Sequence, residues 1–262
     1  MLRFGLNFQE PLVQGQENRG CVVVTGGSRG IGAEIVKLCA QAGYDVCFTY
    51  QRRKDRADDV VAQCAPFAGR VLALQADVQD LGRSEWVLNQ ARQMSEVVGL
   101  VNNVGITSTI GSFLDVEIDT MRKVLETNVL GLMVMCQTFV RHWTGSSLPG
   151  SIVNVSSMAA VFGSPGEYIH YAGSKAAVDS FTIGLAKEFA RRSIRANVVA
   201  PGTTDTEIHT LSGEPARAAR VAANIPMARP AQAQEVAEAV VWLLSNKASY
   251  VTGTVLKVAG GL

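Results

Sequence analysis

The sequence predicts an α/β protein: a doubly wound, seven-stranded parallel sheet with helices on both faces. Three observations lead there. Short β-branched, apolar runs recur along the 262 residues, segments with helical apolar spacing lie between them, and a glycine cluster, TGGSRGIG at 25–32, joins the first run to the first helix. Strictly alternating strands and helices imply a parallel sheet covered on both sides.

The first strand is CVVVT (21–25), and the helix after the glycine cluster spans 30–42, with Ile31, Ile35, Leu38 and Ala42 on one face and Gly43 as its stop. DVCFTY (45–50) is the second strand and leads into a helix at 55–65, whose Asp55, Asp58 and Asp59 complement the macrodipole. RVLALQAD (70–77) precedes a helix at 80–95, and GLVNNVG (99–105) precedes a long one at 119–143. SIVNVSS (151–157) precedes a helix at 170–191, RANVVAP (195–201) is the sixth strand, and a helix at 234–244 leads to the last strand, TVLKVAG (254–260). The segment 203–230 is polar, Ala-rich and bounded by prolines, which predicts a lid insert at about 203–225. Residues 1–19 read as a flexible extension and 20–262 as a single domain.

Bulk properties exclude several classes. A net charge of +1 gives no argument for a nucleic-acid partner. No apolar run approaches the roughly 18–20 residues of a membrane span. Five scattered cysteines without CxxC spacing fit reduced, structural thiols in the cytoplasm, and three histidines are too few to suggest a metal cluster.

The glycine cluster is a strand-to-helix turn with the spacing GxxxGxG: Gly26, Gly30, Gly32. Glycines allow close backbone approach, and the helix N-terminus offers free N–H groups to a pyrophosphate. The same cluster alone would also serve as an ordinary turn. YAGSK (171–175) places Tyr171 and Lys175 at i and i+4, on one helix face. A phenol with a reference pKa of about 10 is a poor proton carrier at neutral pH unless a cation favours its phenolate. Ser157, past the end of the fifth strand, can hold a substrate oxygen beside Tyr171, with Ser156 as the competing choice. Asn128, in an otherwise apolar helix, reads either as a satisfied core amide or as a kink that orders a water beside Lys175.

These motifs, with NNVG (102–105) and PGTTDT (201–206), resemble those of the short-chain dehydrogenase/reductase family, in its 250-residue branch, from about residue 20 to the C-terminus. The resemblance is to 3-oxoacyl carrier-protein reductases and small sugar dehydrogenases. It implies a Rossmann-type sheet, a nicotinamide cofactor and the catalytic set Asn128, Ser157, Tyr171 and Lys175. Tyr171 would exchange the proton, Ser157 stabilise the reacting oxygen, Lys175 lower the Tyr171 pKa and hold the nicotinamide ribose, and Asn128 support a proton relay through water. By the same resemblance the cofactor would meet Thr25, Gly26, Ser28, Arg29, Gly30, Ile31 and Gly32 in the glycine loop. It would also meet Asp77 and Val78 at the adenine, Asn102, Asn103 and Gly105 along the ribose, and Pro201, Gly202, Thr204 and Thr206 near the nicotinamide. Val104 departs from the family, which more often has Ala there. A homotetramer built on the two long helices is also implied.

The second strand ends at Tyr50 with no acid at 48–51 and with Arg52, Arg53 and Lys54 following, while Arg29 sits inside the glycine loop. A carboxylate at that point suits the 2′-hydroxyl of NAD, and cations suit the 2′-phosphate of NADP. The expectation is therefore NADP(H), with Arg29 and Arg52 on the phosphate. The substrate would be a small carbonyl compound or secondary alcohol near Val161, Phe162, Tyr168, His170 or His209. Two rival readings are a catalytically silent NADP(H)-binding regulator and an isomerase that uses the cofactor transiently.

Overall fold

The structure, a computed structural model, describes residues 18–262; residues 1–17 of the expected extension lie outside the described residues. Seven strands form one parallel sheet: β1 (Cys21–Thr25), β2 (Asp45–Tyr50), β3 (Val71–Gln75), β4 (Val97–Asn102), β5 (Gly150–Val155), β6 (Ile194–Pro201) and β7 (Val255–Val258). Their order is β3-β2-β1-β4-β5-β6-β7. The principal helices between them are α1 (Gly30–Gln41), α2 (Lys54–Cys64), α3 (Arg83–Arg92), α4 (Ile118–Leu125), α5 (Gly131–Ser146), α6 (Ala159–Phe162) and α7 (Ile169–Phe189), followed by α8 (Ile208–Leu211), α9 (Arg217–Val221) and α10 (Ala233–Leu244). No described helix is long and apolar enough to cross a membrane.

The period of two along each strand builds two cores. Val22, Val24, Val46, Phe48, Val101, Val153 and Val199 pack on one face against α1, α2 and α10. Cys21, Val23, Cys47, Leu100 and Ile152 pack on the other against α3, α5 and α7. Both faces are thus covered, which is why the central strands read as continuous apolar runs. The chain winds outward from β1 to β3 and then crosses back to β4 on the other side of β1. The crossovers diverge there, so a crevice opens at the carboxyl ends of β1 and β4, where doubly wound sheets place ligands.

The expected elements all form, with three informative differences. The strand expected over 99–105 ends at Asn102, because Asn103 turns away to bind the glycine loop. The strand expected over 70–77 ends at Gln75, and the Asp77 carboxylate then accepts the Gln79 N–H and closes a turn. The helix expected over 119–143 is two helices, α4 and α5, joined by a π-helical stretch at Glu126–Leu130. A π turn inserts one residue into the 3.6-residue ladder and commonly marks a functional position.

Asp45 fixes the opposite end of the sheet. Its buried carboxylate accepts from the Arg70 guanidinium (2.6 Å) and backbone N–H (2.9 Å), from Asn18 (2.9 Å) and from Ser95 (2.8 Å). Asn18, expected within the flexible extension, is therefore tied to the sheet. Burial alone would raise the Asp45 pKa; Arg70 and the other donors overcome it and hold the carboxyl at about 2. A depressed folded-state value means the stabilisation is present above the unfolded value of about 3.9 and is lost as pH falls through about 2. Asp45→Asn should therefore cost roughly 2 kcal/mol at neutral pH. The deficit should shrink in urea titrations repeated between about pH 4 and 2.

Candidate active site

The glycine loop is held from behind. Thr25 ends β1, and its hydroxyl accepts the backbone N–H groups of Asn103 (3.0 Å) and Val104 (3.2 Å). The Asn103 side-chain amide donates to the carbonyls of Thr25 and Gly26, both at 3.1 Å. Asn102 points the other way, into the core, where its amide donates to Asn154 Oδ1. Asn103 is thus the residue that braces the loop. Gly26 has φ +70°, a left-handed conformation that L side chains rarely adopt. At Gly32 a Cβ would strike the Gly26 carbonyl, so the helix can pack this close to the loop only with glycine there.

Helix α1 begins at Gly30 with no side chain capping its first turn, so its N–H groups face the crevice unclaimed by a cap. Ser28 is half-buried in the loop, and Ile31 leans on the core. Tyr50 is buried at the end of β2. Asp77 accepts from the Gln51 side chain (2.5 Å) and with Val78 lines a pocket that Thr25 also borders. Across the crevice, Pro201 ends β6, Gly202 N–H donates to Val258, and the Thr204 hydroxyl donates back to Gly202. Thr206 then lies over Gly30: a Cβ on that glycine would sit 3.4 Å from the threonine methyl. Apart from Asn102, which faces the core, the expected cofactor residues lie around the glycine loop, the strand ends beside it and the segment after β6. The glycine surfaces and uncapped helix end suit a bound pyrophosphate.

Tyr171 and Lys175 lie on the first turns of α7, and both are buried. Ser157 follows β5; its hydroxyl accepts the Ala159 N–H (3.1 Å) and lies near enough to Tyr171 to lower the phenol pKa. Ser156 points into the protein, where its hydroxyl donates to the Lys175 carbonyl (3.2 Å), so Ser157 is the serine beside Tyr171. The Lys175 amine donates to the Val155 carbonyl (2.9 Å) and stands 5.8 Å over the Tyr171 ring. Burial pulls its pKa down to about 8, against the opposing pull of Asp179. Gly105 makes room for that amine, since a Cβ there would lie 3.1 Å from Nζ. Burial also raises the Tyr171 pKa, while the Ser157 hydroxyl and the Arg217 guanidinium lower it. The Arg217 guanidinium is thus a second cation near the phenol, beside the Lys175 amine tethered above the ring.

Asn128 sits in the π turn, fully buried. Its Oδ1 accepts the Ile106 N–H (2.9 Å), and its Nδ2 donates to the Ile106 carbonyl (2.9 Å) and to Ser174 Oγ (3.1 Å). Both sequence readings thus apply in part: the amide is satisfied, and it lies in a distorted helix. It ties the turn after β4 to α7.

The cations are arranged differently from expectation. Arg29 pairs with Glu207 at 3.4 Å, and Arg56 reaches the same carboxylate at 3.7 Å. Arg53 and Lys54 are engaged with Asp55 and Asp58. Arg52 is exposed at the start of the same turn. Arg56 and Glu207 were missed in the sequence. Arg56 lies in the first turn of α2, on the side facing the cleft, but Glu207 is distant in the chain and carries no local signal. Among the expected substrate contacts, Tyr168 packs edge-to-face on Tyr171 (5.2 Å, 83°), and Val161 and Phe162 are exposed. Both nitrogens of His170 are buried without a hydrogen-bond partner. The His209 side chain lies outside the described residues.

The chain is similar to known proteins. The family model described as Enoyl-(Acyl carrier protein) reductase matches residues 26–262. The uncharacterized oxidoreductase YgfF of Escherichia coli is 45% identical over 242 residues, covering 91% of this chain and 98% of that protein. The 3-oxoacyl-(acyl-carrier-protein) reductase FabG of Chlamydia pneumoniae is 35% identical over 242 residues, covering 92% and 96%. A crystal structure of a short chain dehydrogenase from Burkholderia cenocepacia in complex with NADP superposes with a TM-score of 0.85 at 33% identity, covering 93% of this chain and 98% of that one.

Asn128→Ala would leave both polar groups of Ile106 without their partner in a buried turn. The expected cost is roughly 1–3 kcal/mol in urea unfolding, with faster amide exchange at 103–106.

Proposed function

The chain belongs to the short-chain dehydrogenase/reductase family of oxidoreductases, and from that premise we propose that it is an NADP(H)-dependent enzyme interconverting a carbonyl compound and a secondary alcohol, with Tyr171 as proton donor and acceptor. The observation that carries this reading is the meeting of Ser157, Tyr171 and Lys175 at the carboxyl edge of the sheet, beside the glycine-loop cleft. A bound nicotinamide supplies the hydride chemistry. Thr25, Gly26, Ser28, Gly30, Ile31, Gly32, Asp77, Val78, Asn103 and Gly105 would hold the nucleotide. Pro201, Gly202, Thr204 and Thr206 would close on its nicotinamide end, and Lys175 would bind its ribose.

The chain's own part is proton handling. In the reducing direction the Tyr171 hydroxyl gives its proton to the substrate oxygen as negative charge develops there. Ser157 hydrogen-bonds the same oxygen and holds it in line. Lys175 keeps positive charge over the ring, and Asn128 fixes the turn that packs against the amine. In the oxidising direction the phenolate takes the proton back.

The preference for NADP(H) is supported by Arg29 and Arg56 converging at the rim of the adenine side, with Arg52 beside them, and by the NADP complex of the Burkholderia relative. Segment 203–225 acts as the lid in this reading. A homotetramer fits the exposed Ile118, Leu125 and Leu130 along α4 and the π turn, which a partner copy would cover. All five cysteines are free and buried, which supports a reducing compartment.

Tyr171→Phe should lower kcat by roughly 10²–10⁴-fold on any active ketone of a panel while leaving NADPH affinity within about threefold. Retained turnover refutes the acid–base role. Replacing Arg29 and Arg56 together by Gln should weaken NADPH binding at least about tenfold and leave NADH binding unchanged. Equal losses in fluorescence titrations refute the phosphate assignment.

A further inference from the structure

A second charged cluster lies on the substrate side of Tyr171. Glu167, in the turn before α7, accepts from Arg217 of α9 in a two-pronged pair: Nη2 to Oε2 at 2.5 Å and Nε to Oε1 at 3.3 Å. Arg220, one turn further along α9, reaches the same carboxylate at 3.2 Å and is itself held by Glu214 at 2.5 and 2.8 Å. The Arg217 and Glu167 side chains are only 12% and 21% exposed, so water weakens this pair far less than it does the surface pairs. The backbone adds two ties: Ile110 N–H donates to Ser212 and Gly111 N–H to Glu167. Three segments, 106–111, 164–168 and 208–221, therefore meet at one point.

The same guanidinium lies 5.4 Å above the Tyr168 ring, within cation–π range, and Tyr168 presents its edge to Tyr171. We propose that Arg217 is a positioning residue for Tyr171: docked on Glu167, it latches α9 over the Tyr168–Tyr171 pair and supplies that pair with positive charge. This rests on the reading of Tyr171 as the proton carrier.

Arg217 acts together with the other groups around the phenol. On α7, the Lys175 amine stands 5.8 Å over the Tyr171 ring and is tied to the Val155 carbonyl; burial lowers its pKa and Asp179 raises it. His170 is driven toward its neutral form by burial. On the turn before α7, Glu167 is negative and Tyr168 is pushed further toward its neutral phenol by burial. From the end of β5, Ser157 contributes a neutral hydroxyl, and from the π turn Asn128 a neutral amide. On α9, Arg220 stands behind Arg217 and is shared between Glu167 and Glu214.

The test separates the latch from the chemistry. Tyrosinate absorbance is titrated in the full-length protein and, as a reference, in its Tyr171→Phe variant; the difference isolates Tyr171 without any turnover. Arg217→Gln should move that midpoint up by about one pH unit, and Arg217→Lys, which restores charge without the two-pronged bond, should bring it most of the way back. An unmoved midpoint in Arg217→Gln overturns the proposal, whatever the enzyme turns over. The acid–base reading stands or falls separately, on the turnover of Tyr171→Phe. Glu167→Gln provides a second arm should Arg217→Gln not fold. Breaking the latch should speed amide exchange across 208–221 about tenfold while the sheet stays protected, and unchanged exchange there overturns the proposal.

Discussion

The site is organised around a buried amine. Lys175 lies inside the protein, and an ammonium taken from water needs compensation from fixed dipoles and charges. The compensation here is modest: one carbonyl at the end of β5 and the carboxylate of Asp179 one turn along α7. Burial prevails and pulls the amine's pKa down to about 8. Keeping it in place constrains its neighbours. Gly105 has to lack a side chain, Val155 has to end its strand with a carbonyl turned toward α7, and Ser156 has to face the helix backbone, which leaves Ser157 to face the cleft. The Asn128 bridge then fixes the turn that carries Gly105.

The sheet makes that constraint possible. Parallel strands covered on both faces are rigid to their ends, and the polar residues with freedom to act sit where the strands stop. Thr25, Asn103, Ser157 and Pro201 occupy four such ends. Thr25 and Asn103 bind each other's backbone, so the glycine loop and the turn after β4 are one unit.

Much of this was legible in the sequence, for identifiable reasons. The strands announce themselves because residues such as Val22 and Val24 are apolar on both faces, and the glycine loop because its spacing is local. Tyr171 and Lys175 are four residues apart, so one helical turn relates them. The π turn was not legible as such, because the apolar pattern of 119–143 runs through it and only Asn128 interrupts it. The pairs Arg29–Glu207 and Arg217–Glu167 join residues 178 and 50 apart in sequence, and no periodicity links them. For the same reason only Lys175, the helical neighbour, was expected as the cation beside Tyr171, and not Arg217, which stacks on the adjacent Tyr168 from a distant helix.

These two pairs also set how the segment after β6 is held. It is anchored at two points, by Glu207 to Arg29 and Arg56 beside the glycine loop and by Arg217 to Glu167 beside Tyr168. The anchors are unequal. Arg29 and Glu207 are half-exposed, at 50% and 51%, so their attraction is screened by salt and worth no more than about 1 kcal/mol. The Arg217–Glu167 pair is largely shielded, has two-pronged geometry and is reinforced by the stacked Tyr168. Raising ionic strength therefore loosens the Glu207 anchor before the Arg217 anchor. The groups around Tyr171 are accordingly held more firmly than the pairs at the glycine loop.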